Sequence, residues 1–93
     1  MKTSDKKVYE ETLNLFNGCC AICGSPYPQI HHVYEGKNRK NSTKYSMLVP
    51  LCKTHHDWVH KTNYQGFKKK YQAKFEETHT REEFIKIFGR NYL

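Results

Sequence analysis

The sequence lacks any long apolar run. Hydrophobic residues make up 37% of its 93 residues, and no run of them approaches the ~20 residues that a membrane-spanning helix needs. The first residues, MKTSDKKVYEE, contain no apolar segment of the kind found in signal peptides. Internal repeats, low-complexity segments and domain linkers are also missing. We therefore expect one cytoplasmic domain over residues 1–93 that has no membrane partner.

Acidic residues are scarce relative to basic ones. Asp and Glu number 9 against 16 Lys and Arg, which gives a formal net charge of +7. A small domain with such an excess attracts polyanions, of which nucleic acid is the usual one. A chain of this length buries only about 60–65% of its unfolded surface, so a metal ion or an oligomer interface often supplements the core. The composition predicts a nucleic-acid partner and favours a stabilising metal.

The order of periodic segments predicts an α+β domain. We expect an N-terminal helix over 4–16, two short strands at 29–33 and 47–51 with Pro50 stopping the second, and a helix from about 54 to 61. Asn63 is a candidate cap for a further helix, and the capping-box sequence Thr80-Arg-Glu-Glu83 predicts a last one that ends before Gly89. The polar and basic residues 34–45 are expected to form an exposed loop.

Two pairs of potential zinc ligands share one spacing. They are Cys20-x-x-Cys23 and Cys52-x-x-His55, and two such turns can complete a tetrahedron around one ion. Three thiolates and one imidazole suit zinc, which would supply folding energy that a small core lacks. Cys19 is the spare thiol, because pairing it with Cys23 would leave three intervening residues. The alternative interpretation is a redox dithiol, which leaves the second pair unexplained.

Four further histidines cluster in the sequence near these ligands. His56 and His60 stand at i and i+4 of a helix, so both rings project from one face. His31 and His32 are adjacent on a strand and point to opposite sides. His31 could therefore join His56 and His60 around one ion while His32 stands apart. The alternative is that these are solvated polar pairs; His79, isolated between helices, is expected to be structural.

Taken together, these motifs resemble the HNH endonucleases. The pattern consists of Cys20-x-x-Cys23, Ile30-His31-His32-Val33, Pro50-Leu51-Cys52-x-x-His55-His56 and His60. The resemblance covers about 19–61 and implies a small ββα-metal (His-Me finger) core with a structural zinc knuckle. That core would be flanked by an N-terminal helix and a helical C-terminal extension, two helices over about 63–90, similar to those of small phage and prophage members.

The resemblance also implies roles for individual residues. Cys20, Cys23, Cys52 and His55 would hold structural zinc. His31, His56 and His60 would hold a catalytic divalent metal, and His32 would be the general base. The family pattern departs here in one place, because Met47 stands where the middle Asn of the motif is expected. Ser46 and Asn41 are the two candidates to replace it, and the sequence does not choose between them.

The expected activity is metal-dependent hydrolysis of phosphodiester bonds in DNA, as nicking or double-strand cleavage. Three imidazoles without a carboxylate favour Mn²⁺, Ni²⁺, Co²⁺ or Zn²⁺ over Mg²⁺ at the catalytic site. The basic residues beside the His31–His32 strand predict DNA contact: Lys37, Arg39, Lys40 and Lys44. A second basic run, Lys68-Lys69-Lys70, is less specific, since charge runs are often solvated helix faces.

The chain has no long recognition helix, so sequence-specific cutting would need a homodimer or a targeting protein partner. The resemblance places the activity in phage or prophage DNA processing or recombination, in the cytoplasm of a bacterial host. The alternative function is a catalytically silent zinc module that binds nucleic acid or protein, which would leave the four histidines without a role.

Overall fold

The computed structural model describes residues 3–93, with side chains from residue 6 onward. Five helices and two strands are present in this part of the chain. Their order is α1 (Thr3–Leu15), β1 (Gln29–His32), α2 (Arg39–Lys44), β2 (Leu48–Leu51), α3 (Lys53–Thr62), α4 (Gly66–Phe75) and α5 (Arg81–Phe88), with a 3₁₀ turn at Gly36–Asn38 before α2. The predicted α+β class is confirmed. None of the helices described is both long and apolar enough to cross a membrane.

The two strands form an antiparallel ribbon. Gln29 pairs with Leu51 and His32 with Leu48. Pro50 lies inside β2 rather than stopping it, opposite Ile30. Proline is tolerated in edge strands, and both strands of a two-stranded sheet are edges. The Pro50 carbonyl accepts a hydrogen bond from the Ala21 amide at 2.8 Å, which attaches the turn containing Cys20 to the ribbon.

The expectation of an exposed loop over 34–45 is wrong. Tyr34 is buried, residues 36–44 are helical, and Ser42 and Thr43 are buried as well. The helical structure of this segment is stabilised by tertiary contacts, which the local sequence does not reveal. The side-chain amides of Asn38 and Asn41 donate to carbonyls at the end of α5, to Phe88 O at 2.8 Å and Ile87 O at 3.1 Å.

The helix ends follow local chemistry. The predicted capping box of α5 is confirmed, since Thr80 and Glu83 exchange side-chain and backbone hydrogen bonds, and Gly89 ends the helix at φ +89°. Asn63, in contrast, ends α3 in the left-handed conformation instead of starting α4, whose N-cap is Gln65. Asparagine tolerates that conformation better than most residues.

The core lies between the ribbon and the helices that follow it. Val33, Val49 and Leu51 contribute aliphatic side chains, Val59 contributes from α3, and aromatic rings close the cluster from α4 and α5. Among these rings, Phe84 and Phe88 pack against Tyr34 with centroid distances of 5.4 and 4.5 Å. Because Tyr34 lies two residues after the end of β1, this aromatic packing anchors the segment that carries His31 and His32.

Candidate functional site

The turn after α1 and the start of α3 bring four potential zinc ligands together. One donor atom each of Cys20, Cys23, Cys52 and His55 lies within 4.8 Å of the others. Cys52 is the N-cap of α3, and its sulfur accepts a hydrogen bond from the His55 amide, which fixes both ends of the second ligand pair. Cys19 lies outside this group, with its thiol directed at the Asn17 carbonyl.

The spacing of these donors fits zinc. The Cys23 and Cys52 sulfurs are 3.8 Å apart, and a tetrahedral zinc with bonds of about 2.3 Å to sulfur requires about 3.8 Å. His55 Nδ1 lies 3.7 Å from the Cys20 sulfur and 3.2 Å from the Cys52 sulfur. Three sulfurs and one imidazole nitrogen form a donor set typical of structural zinc.

Local hydrogen bonds favour the thiolate form that a metal needs. Burial acts to raise the pKa of Cys20, but amide hydrogen bonds from Cys52, Cys23 and Ile22 outweigh it and lower that pKa to about 6. Hydrogen bonding to Ser25 lowers the pKa of Cys23. A thiolate is the species that binds zinc, which favours these two cysteines as ligands. At Cys52 the hydrogen bond from the His55 amide lowers the pKa, but burial and the neighbouring Cys23 and Cys20 outweigh it and raise that pKa in the absence of an ion.

A second cluster forms where β1 meets α3. His31 at the end of β1 is buried, and His56 and His60 project from successive turns of α3. One ring nitrogen of each lies within 4.8 Å of the others. The His56 and His60 Nε2 atoms are 3.1 Å apart, and the His31 ring centroid lies 5.2 and 5.3 Å from theirs. The structure therefore brings together the three histidines expected to form one site.

This cluster fits a divalent ion that prefers nitrogen ligands. Burial, reinforced by the nearby His56 and His60, lowers the pKa of His31 to about 4. Burial and His60 also lower the pKa of His56. Neutral imidazole is the form that ligates metals. Three imidazole ligands would leave further coordination positions for water or substrate oxygen.

Two residues that the sequence interpretation missed contact this cluster from outside. Gln29 Oε1 lies 2.9 Å from His56 Nδ1. Glu35 Oε2 lies 3.4 Å from His60 Nδ1, and its Oε1 lies 3.8 Å from His31 Nε2. Gln29 stands two residues before His31 in β1, so strand alternation is a signal that could have found it. Glu35 follows the strand and carries no such signal.

His32 leaves the strand in a different direction from His31. Its Nε2 lies 3.0 Å from the hydroxyl of Tyr9 on α1, and the two rings meet edge to face with centroids 5.8 Å apart. His32 nevertheless lines the same cavity as the three-histidine cluster. That cavity, of about 320 Å³, is bordered by Ile30, His31, His32, Glu35, Gly36, Arg39, His56 and His60.

Comparison with known proteins agrees with this arrangement. A sequence model of the family described as "Putative HNHc nuclease" matches residues 2–90. The chain belongs to this HNH nuclease family. The predicted family is thereby confirmed, and the ribbon followed by α3 is consistent with the ββα-metal fold of HNH proteins. No solved structure matches the chain.

A curated relative also matches part of the chain. It is named "Putative COX1/OXI3 intron 2 protein", from Saccharomyces cerevisiae (strain ATCC 204508 / S288c), and is 34% identical over 73 residues, which cover 66% of this chain. The chain spans about 8% of the length of that relative. The HNH domain therefore resembles a small part of a much longer protein.

The serine and asparagine side chains around the middle position of the HNH motif make different contacts. Asn41 is engaged with α5, and Ser46 is exposed at φ +57° in the turn before β2. Ser42, fully buried, accepts a hydrogen bond from the Tyr34 amide at 3.0 Å and donates to the Tyr34 carbonyl at 2.6 Å. Ser42 thus stabilises the backbone conformation at Tyr34, two residues after His32.

The basic residues of the HNH domain divide into two groups. All four predicted DNA contacts are exposed on the 3₁₀ turn and α2, and Arg39 lines the cavity shared by the histidines. Lys68 on α4 lines a neighbouring cavity of about 100 Å³ that also borders His31, Glu35 and His60. Lys68 therefore faces the cluster, which its place in a plain charge run did not indicate.

Proposed function

We propose that this chain is a metal-dependent endonuclease that hydrolyses phosphodiester bonds of DNA. The observation that carries the proposal is the cavity that His32 and Arg39 share with the cluster of His31, His56 and His60. The histidine cluster that could hold a metal ion, the candidate base His32 and the cation Arg39 thus border one cavity. A zinc module without activity would have no use for that combination.

In this proposal one cluster binds a structural metal ion and the other binds a catalytic one. Cys20, Cys23, Cys52 and His55 would hold structural zinc, which ties the first turn to α3. His31, His56 and His60 would hold the catalytic ion. Bound there, a divalent cation supplies electrostatic stabilisation for the charge that develops on the phosphate oxygens and the leaving oxygen. Because the three ligands are imidazoles, we expect Mn²⁺, Ni²⁺, Co²⁺ or Zn²⁺ to support the reaction better than Mg²⁺.

His32 would act as the general base. An imidazole accepts a proton from water near neutral pH, and Tyr9 holds the orientation of this ring through Nε2. The imidazole would take this proton from a water molecule in the cavity that it lines. The activated water then attacks the phosphorus, the P–O3′ bond breaks, and the leaving 3′-oxygen takes a proton from solvent water, which gives a 5′-phosphate and a 3′-hydroxyl.

Substrate binding would rest on phosphate contacts. Arg39 faces the cavity, and Lys37, Lys40 and Lys44 extend the cationic surface along α2. Such contacts give affinity and register but little sequence information. Targeting would then come from a homodimer or another protein. The resemblance of the motifs to phage and prophage nucleases is the basis for proposing a role in their DNA processing or recombination.

A plasmid assay tests the proposal. Supercoiled plasmid is incubated with zinc-loaded protein and Mn²⁺, Ni²⁺, Co²⁺, Zn²⁺ or Mg²⁺ in separate reactions. We expect conversion to nicked circles, fastest with one of the first four ions, and ends that ligase can rejoin. No nicking with any ion would refute the endonuclease, and equal or faster nicking with Mg²⁺ would refute the three-imidazole site.

A further inference from the structure

Glu35 is the carboxylate that stands against the histidine cluster. It follows β1 by three residues, just before the 3₁₀ turn, and its side chain borders both cavities beside the cluster. The other charged side chains lining those cavities are the cations Arg39 and Lys68. Glu35 therefore supplies negative charge beside these two cations, and Asp57, next to His56 on α3, adds a second carboxylate near the cluster.

Each of the two histidines of α3 has a side-chain oxygen near Nδ1. His56 and His60 direct their Nε2 atoms at each other across 3.1 Å. For His56 the oxygen near Nδ1 belongs to Gln29, a hydrogen-bond partner at 2.9 Å, and for His60 it belongs to the Glu35 carboxylate, in a charge contact at 3.4 Å. With both Nδ1 atoms protonated, the Nε2 lone pairs of His56 and His60 face each other and repel. A cation bound to both Nε2 atoms would remove that repulsion.

We propose that Glu35 is a positioning residue for the metal site, which accepts the Nδ1–H of His60 so that His60 presents Nε2 to the ion. Gln29 does the same for His56 without charge. Ligating histidines commonly donate their second N–H to a carboxylate or carbonyl, which fixes the ring and raises its basicity. The 3.4 Å contact is long for a hydrogen bond, and it would shorten once an ion on Nε2 polarises the ring.

This inference rests on the proposed catalytic metal site. It adds a carboxylate that acts on that site from outside the ligand set, where the sequence had suggested imidazoles alone. Glu35 would also offset part of the charge of the ion. Removal of the charge alone should therefore weaken metal binding less than removal of both the charge and the acceptor.

Calorimetric titration of Mn²⁺ into zinc-loaded protein tests the inference. We expect Glu35→Ala to bind Mn²⁺ about tenfold more weakly than wild type or worse. Glu35→Gln, which keeps an acceptor oxygen, should lie between them. Glu82→Gln, an exposed change of the same charge on α5, serves as the matched control and should bind like wild type. Thermal unfolding of each zinc-loaded variant checks that the fold is retained.

The failures of the two proposals are distinguishable. Wild type that binds no Mn²⁺ beyond the zinc-loaded state would refute the metal site itself. Wild type that binds Mn²⁺ while both Glu35 variants bind within twofold of it would refute the role of Glu35 alone. Nitrogen-15 NMR of the histidine rings, recorded on zinc-loaded protein without Mn²⁺, reports which ring nitrogen of His60 carries the proton. We expect His60 as the Nδ1–H form in wild type, and the same form unchanged in Glu35→Ala would also overturn the inference.

Discussion

Replacement of Ser42 by alanine should loosen the segment behind the candidate base. The Ser42 hydroxyl is fully buried and bonds both the amide and the carbonyl of Tyr34. Alanine removes the hydrogen-bond partner of both of these backbone groups. A buried polar group left without a partner costs about 1–3 kcal/mol, so two such groups predict a loss of about 2–6 kcal/mol.

That loss is large against the ~5–15 kcal/mol that stabilises a typical domain. Because Tyr34 is two residues beyond His32, we also expect slower nicking by the variant, by about tenfold, since small displacements of catalytic groups are costly. Urea unfolding of the zinc-loaded proteins measures the first effect, and initial rates on supercoiled plasmid measure the second.

Ser46→Ala provides the matched control, because that serine lies in the same segment but is exposed. It should change the free energy of unfolding by less than about 0.5 kcal/mol, because serine and alanine both carry a Cβ and meet the same backbone strain at φ +57°. If Ser42→Ala is as stable and as active as Ser46→Ala, the reasoning that Ser42 fastens this segment is refuted.

Three further predictions concern other parts of the site. Tyr9→Phe removes the hydroxyl 3.0 Å from His32 Nε2 and should slow nicking about tenfold with unchanged Mn²⁺ affinity; an unchanged rate would exclude Tyr9 from positioning the base. Cys52→Ser, or zinc removal by a chelator, should abolish cooperative thermal unfolding, because structural zinc supplies energy comparable to the whole stability of a small domain; cooperative melting without zinc would contradict this. Arg39→Gln should reduce the salt dependence of DNA binding by about one phosphate contact, whereas Arg81→Gln, on the exposed start of α5, should not.

Much of the site was predictable because its residues occur in groups that are close together in the sequence, within one helix, turn or strand. The i and i+4 positions of His56 and His60 fix their shared face, and the turns around Cys20 and Cys52 fix the ligand pairs. The alternation of His31 and His32 follows from the pleat of a strand. The helix end at Gly89 and the capping box were likewise local signals, and the structure agrees with them.

The rest depends on contacts between distant segments. Residues 36–44 are helical because Asn38 and Asn41 bond carbonyls of α5 nearly fifty residues away, and no local pattern shows that. In the sequence Glu35 and Lys68 look like ordinary surface charges, and only the fold shows that they lie against the histidine cluster. Ser42 was overlooked for a different reason, since its partner Tyr34 is only eight residues away, and the contact depends on the helical turn at residues 36–44 that the sequence did not predict.

The most direct test of the nuclease compares two histidine variants in one assay. His32→Ala removes the candidate base, whereas His79→Ala removes an exposed histidine that stacks on Phe75 at 4.1 Å and lies outside the cluster. With zinc-loaded protein, Mn²⁺ and supercoiled plasmid, we predict that wild type and His79→Ala nick at similar rates. His32→Ala should be at least 100-fold slower, in line with the loss of a general base. Nicking by His32→Ala at the rate of wild type would contradict the account.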